Sequence, residues 1–359
     1  MYCYEMSTFD PLVDAHLLES EYARLASCLN RVPENSYVNF VFSHDPDAVP
    51  DLVHSLPNPR GVRAGFLHQD RVDHLIETGA FYHPRMLMFF DMSNADQAEG
   101  SAFLDALSAE RLISPLERSD LAGYIKLVMN DVSGRVVASS LEEPEKGDLP
   151  FFKQLCASNI HTDEKKVVVG EKIVKTLGVQ RFVEGEAPLD LFRPFIQGIS
   201  GLRGIHTVFS VSFRVPGQRK AATRLKSGIV LRETIANFFS GFVSREQDRE
   251  HIKAINALDH VTENGLKLLD VDVKVVALSH NEAHLDSYLR DLKASFPRCG
   301  GVQLAEDDFC HLDGLKSCLP GYRPNLARCK RVTCENAAGM VSRYGAWQGS
   351  SKTLAQFHK

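Results

Sequence analysis

The segment LLDVDVKVVA at 268–277 alternates without a break. Leu269, Val271, Val273, Val275 and Ala277 fall on one side, and Asp270, Asp272 and Lys274 on the other. A period of two sustained this long is that of a sheet strand with one polar side. Any fold of this chain must give that strand neighbours and a core to face. GIHTVFSVSFRV at 204–215 is a second strand, with Thr207, Phe209, Val211 and Phe213 on one face. SYVNFVFSH at 36–44 reads as a third, and the apolar run RMLMFFDMS at 85–93 as a more deeply buried one. KKVVVGEKIVKTLGV at 165–179 has β-branched runs on both sides of Gly170-Glu171, the pattern of a hairpin.

Helical spacing occurs between these runs. Asp10 can cap and Pro11 can open a helix carrying Leu18, Tyr22, Leu25 and Leu29, which should stop before Pro33. The pattern from 95 to 132 is also helical. Two helical segments follow the strand at 204–215. The second has a capping box of Ser244 and Gln247, inward Ile252, Ile255 and Leu258, and Asn264-Gly265 as its stop. Asn281 can cap a further helix with the stripe Leu285, Leu289, Leu292 and Phe296. A short strand at 302–304 then precedes a helix ending near Leu319-Pro320.

This order predicts an α+β protein of two layered α/β subdomains, with mixed or antiparallel sheets, long helices and no P-loop core. EEPEKGD at 142–148 reads as an exposed connection and VEGEAP at 183–188 as the domain boundary. The expected division is 1–183, 184–320 and a basic tail over 321–359.

At 359 residues and 44% hydrophobic, the chain can bury a sizeable core. Its formal charge of −5 argues against coating nucleic acid through bulk electrostatics. No apolar run approaches the roughly 20 residues of a membrane helix. The start lacks the basic end and apolar stretch of a signal peptide, so the expected location is the cytoplasm. The tail from Gly321 reverses the overall sign, with seven basic side chains against Glu335 alone. Arg323, Arg328, Lys330, Arg331 and Arg343 are its candidate docking residues, for an acidic partner, a phosphate or anionic lipid heads, with a solvated basic face as the plainer reading.

Several motifs fail on spacing. GAWQGSSKT at 345–353 has three residues between its glycines and two serines before Lys352, so it is no phosphate-binding loop. Asp91 ends an apolar strand, as a magnesium-binding aspartate does, but no phosphate loop precedes it. HNEAH at 280–284 places two imidazoles a turn apart without the glutamate of a metalloprotease helix. GISGLRG at 198–204 precedes a strand instead of following one. Cys299, Cys310, Cys318, Cys329 and Cys334 crowd near His311 without a Cys-x-x-Cys knuckle, and read as small buried hydrophobes or free thiols. No local signature assembles a catalytic Ser/His/Asp or Cys/His group, so no catalytic, cofactor or metal residue is assigned.

The collinear order of several segments resembles the N-terminal domain of the conjugation and type IV secretion ATPases, the family of TraC, TraU and DotO. These segments are VNFVFSHDPDAVPDLV, VVVGEKIVKTLGVQRFVEGEAP, the helical RLKSGIVLRETIANFFSGFVSREQDREHIKAINAL and the strand-helix-strand from Asn264 to Leu304. GLKSCLPGYRPN and TCENAAGMVSRYGAWQGSS complete the series. Two departures are expected. The chain starts at the first long helix without the strand upstream, and it ends before the family's P-loop, magnesium aspartate and arginine finger.

The resemblance implies a cytoplasmic docking and assembly domain at the periphery of the inner membrane, itself without a cofactor. Its partners would be the inner-membrane secretion or conjugation complex. ATP and magnesium would belong to an absent motor that assembles as a hexamer. A stand-alone structural subunit, or an enzyme using an unrecognised Cys/His site, stay open beside it.

Overall fold

The alternating segment forms a strand of 12 residues, Leu268–Ser279, at the heart of one antiparallel sheet. The structure, a computed structural model, describes residues 1–8, 15–44, 84–131, 155–181, 205–227, 265–298 and 302–343. In chain order the strands are β1 Tyr2–Met6, β2 Tyr37–His44, β3 Pro84–Asp91, β4 Ile113–Pro115, β5 Ile160–Thr162 and β6 Val167–Val169. They continue with β7 Lys172–Arg181, β8 His206–Arg214, β9 Leu268–Ser279, β10 Gln303–Glu306 and β11 Lys330–Thr333. The helices are α1 Ala15–Leu29, α2 Gln97–Ala109, α3 Arg118–Met129, α4 at 218–227, α5 Glu282–Ser295, α6 His311–Ser317 and α7 Cys334–Met340. The protein is α+β.

Across the sheet the order is β4, β1, β3, β2, β8, β9, β7, β6, β5, with β10 added to β7 and β11 to β9. Helices cover both faces, which is why RMLMFF is apolar throughout. Met86, Met88 and Phe90 join Phe40, Phe42, Phe209, Phe213 and Val273 under α1, α2, α5 and α7. Leu87 and Phe89 join Val41, Val208 and Val276 under α3 and α6. On the first face Phe42 and Phe209 are direct partners across β2 and β8, and Phe296 stacks on Phe209 at 6.3 Å. Such ring pairs add about 0.5–1.5 kcal/mol beyond their buried area.

Leu18, Tyr22, Leu25 and Leu29 are buried as their spacing predicts. Gly170 turns the β6–β7 hairpin at a φ of 64°, and Asn281 caps α5 by accepting from the His284 amide at 3.1 Å.

Three expectations are corrected. A strand does precede the first helix: β1 lies between β3 and β4, and partners on both sides make a strand of five residues too short to announce itself. The expected division at 183/184 does not divide the sheet, because β2 pairs with β8 and β7 with β9 across it. Residues 321–343, expected to begin a tail, instead supply β11 and α7. β11 is four residues with two charges and forms because β9 offers it an open edge.

The Asp10-Pro11 helix start, the 142–148 connection, the boundary at 183–188 and the 198–204 turn lie outside the described residues. So do the Ser244 helix, Cys299, GAWQGSSKT and Lys359.

Two glycines show how tightly the layers meet. A Cβ at Gly314 of α6 would lie 2.2 Å from Thr176 Oγ1 and 2.7 Å from its Cβ, whereas one at Gly100 of α2 would meet the flexible Met92 thioether. Gly314→Ala should cost about 1–3 kcal/mol by overpacking a stiff β-branched neighbour. In Gly100→Ala the gain in helix propensity, about 1 kcal/mol, offsets the overlap. Denaturant unfolding of both variants checks this order.

Candidate docking site

The polar side of β9 is not solvated. Asp270, Asp272 and Lys274 are 6%, 7% and 1% exposed, because α6 and the chain leading to β11 fold over them. Lys274 Nζ reaches the Asp313 carboxylate, Tyr322 Oη at 2.9 Å and Asp272 Oδ2 at 3.4 Å. Tyr322 can donate to Asp272 at 3.1 Å or Asp313 at 3.0 Å. Burial and these two carboxylates push the phenol's pKa up, so it remains a donor. Arg331 closes on Asp270 at 2.8 Å, with Arg214 at 3.9 Å on the same carboxylate.

At this point the sheet forks. One edge of β9 is shared: Lys274 to Ser279 pair with β7, and Leu268 to Val271 with β11. Past Gly178, β7 leaves β9, while its other edge pairs with β10 from Leu177 to Arg181, with an irregularity that leaves Gln180 as the extra residue. A bulge of this kind bends the strand and re-aims side chains. A cavity of about 310 Å³ opens in the fork, lined among others by Gly178, Gln180, Asp272, Asp307, Arg328 and Lys330.

A Cβ at Gly178 would lie 2.8 Å from Asp307 Oδ1, so a larger residue there would displace that carboxylate. The Asp307 carboxylate is 6% exposed and accepts from Arg328 Nη1, while its Oδ2 has no hydrogen-bond partner among the described residues. Burial pushes its pKa up against the pull of Arg328.

The loop that carries Asp307 is pinned by its backbone. Asp307 N–H donates to Thr176 O at 3.0 Å, Phe309 N–H to Glu164 O at 2.8 Å and Cys310 N–H to Asp307 O at 2.8 Å. His311 fastens the start of α6 by accepting from the Thr176 amide through Nδ1 at 3.0 Å. Between these pins Phe309 has a φ of 63° and is 75% exposed. A bulky side chain seldom holds a left-handed backbone, so its projection is imposed by its surroundings. Asp308, Asp163 and Glu164 are exposed around it. An exposed aromatic ring and exposed acidic side chains thus lie on the loop that leads out of the charged cleft.

Of the five candidate docking residues, Arg328 and Lys330 line the cleft and Arg331 lies beside it on Asp270. Arg323 is elsewhere, on Asp91 Oδ2 at 2.9 Å, on Ser93 Oγ at 2.7 Å and over the Tyr37 ring. Burial pushes the Asp91 pKa up, but the bonds from Ser93 and Arg323 outweigh it and hold it low. Arg343 is 1% exposed, bound to Glu21 and Ser7, and cannot present its charge outward. Phe309, Asp307 and Gly178 were not found from sequence. The signal was an aromatic inside EDDFC, out of phase with the elements on either side.

The other candidate chemistry is spent on structure. His280 pairs with Asp131, not with His284. Among the described residues no group of three or more His, Cys, Asp or Glu is placed to hold a metal ion. Burial pushes the Cys318 and Cys329 thiols up to about 12, which keeps them protonated near neutrality. Ser43 Oγ and His206 Nε2 lie 2.9 Å apart on adjacent strands. Both residues are buried, and His206 Nδ1 has no hydrogen-bond partner among the described residues. No protein-family model matches the chain, and no curated protein matches it either.

Burial pulls the His206 pKa down to about 3 from 6.5. The unfolded imidazole takes up a proton below about 6.5 that the folded one refuses until about 3. Stability is therefore complete above that window and is lost as pH falls through it. The slope from this side chain approaches about 1.4 kcal/mol per pH unit. Urea unfolding between pH 7 and 4 should show this fall, and His206→Gln should flatten it.

Proposed function

We propose that the chain is a docking and assembly domain of a conjugative-transfer or type IV secretion ATPase, with Phe309 and the fork cleft as its contact surface. The observation that carries this reading is Phe309 itself, an aromatic ring three-quarters exposed on a loop that four hydrogen bonds hold still. A rigid exposed aromatic loses little entropy on binding and is the commonest kind of interface anchor. Lys330, exposed at the rim of the cleft, adds a charged contact.

The end of the described chain suits a positioning role. β11 is bonded to β9, α7 packs on α1, and Arg343 ties residue 343 to Glu21 and Ser7. In this proposal ATP and magnesium belong to a C-terminal motor, hexamerisation accompanies it, and the partner is an inner-membrane complex protein met on its cytoplasmic side. No helix among the described residues is long and apolar enough to cross a membrane.

Phe309→Gly separates docking from folding, because glycine removes the ring and relieves the positive φ. The variant should unfold at or above the wild-type temperature, while its affinity for the membrane-complex protein drops about thirtyfold, the effect of losing an anchor worth roughly 2 kcal/mol. Lys330→Glu should weaken the same binding. A folded Phe309→Gly chain with undiminished affinity ends the docking reading. ATP hydrolysis by the 359-residue chain above a no-protein control ends its non-catalytic part.

A further inference from the structure

A second cleft, of about 440 Å³, lies where the end of the described chain meets the beginning. It is lined by Ser7, Glu21, Arg24, Glu110, Arg111 and Arg343, with Ala109. Three guanidiniums face two carboxylates, which leaves one unit of positive charge. Glu21 is divided between Arg24 on Oε1 and Arg343 on Oε2, the latter at 3.0 Å. Glu110 accepts from Arg24 through Nε at 2.8 Å. Arg343 also donates to Ser7 Oγ at 3.0 Å, and at 1% exposure its charge is held away from water. Its burial pulls the guanidinium pKa down against the opposing pull of Glu21. Among the described residues Arg111 has no ion-pair partner in the structure.

Arg111 carries a second, independent signal. It follows the cap of α2 at a φ of 54°. Its amide donates to Ser108 O at 2.9 Å, and that of Leu112 to Leu107 O at 2.9 Å. This is the Schellman arrangement, in which the left-handed residue is usually glycine. An arginine there strains the backbone and gives the helix stop nothing in return, yet it sets a third guanidinium on the wall of a cleft that already holds excess positive charge.

We propose that this cleft binds a phosphate group, with the exposed Arg111 and Arg24 as its guanidinium donors and the buried charge of Arg343 behind them. Guanidinium forks match the oxygens of a phosphate, and the anion offsets the one unit of positive charge that Glu21 and Glu110 leave uncompensated. The site is separate from the fork cleft and does not depend on the docking role.

The test is thermal unfolding of the full chain in inorganic phosphate and, separately, in glycerol 3-phosphate, against sodium chloride of equal ionic strength, with calorimetric titration of the same two compounds. The midpoint should rise and saturate. Saturation by inorganic phosphate alone assigns the free ion, and tighter binding of the ester assigns a phosphorylated molecule. Arg111→Gly should raise the midpoint in chloride by relieving the backbone, yet weaken phosphate binding about tenfold or more, the loss of one charge-assisted contact. Arg111→Asn, which also tolerates the left-handed region, repeats the measurement. A rise that does not saturate, or one identical in wild type and both variants, overturns the site.

Discussion

The structure depends on covering both faces of β9. A strand with all 12 of its residues buried is easily placed when it is apolar, but this one carries two aspartates and a lysine on one side. Left bare under the second layer, those charges would be costly, since removing one partner of a buried pair typically costs about 3–5 kcal/mol. Asp313 of α6, Tyr322 and Arg331 meet them from the C-terminal side and Arg214 from β8. Residues 311–333 are thereby committed to the sheet.

That commitment shapes the surface. Because β11 must reach Asp270, it takes the edge of β9 that β7 would otherwise occupy, and the fork opens between them. Asp307 closes over Gly178 beside the fork, and the loop it begins is pinned to Thr176 and Glu164, so Phe309 has no inward route. The exposed ring and the buried ion network are two ends of one arrangement. Beyond β11, α7 rests on α1 and delivers Arg343 beneath the cleft at Glu21. Both clefts thus arise where late segments of the chain are fitted onto a sheet whose central strands come earlier.

The main strands and several helices were legible in sequence, because burial imposes its period on residues close together in the chain. Phe209, Val211 and Phe213, or Leu285, Leu289 and Leu292, announce their faces locally. β1 and β11 were not legible, being short and formed by what lies beside them. The basic residues from Arg323 to Arg343 were visible as charge, but not as partners of Asp91, Asp307, Asp270 and Glu21, from which they are distant in sequence. Charge counted along a chain cannot tell a solvated cation from one already paired.

The sequence by itself determined that this chain builds a β-sheet around an alternating strand, with amphipathic helices to cover it, since side-chain period is a local consequence of backbone geometry. Only the tertiary structure decided that the polar side of that strand would be sealed, that Phe309 would be held outward and that three arginines would meet at one cleft. Those outcomes rest on contacts between residues up to hundreds of positions apart, and such contacts leave no period to read.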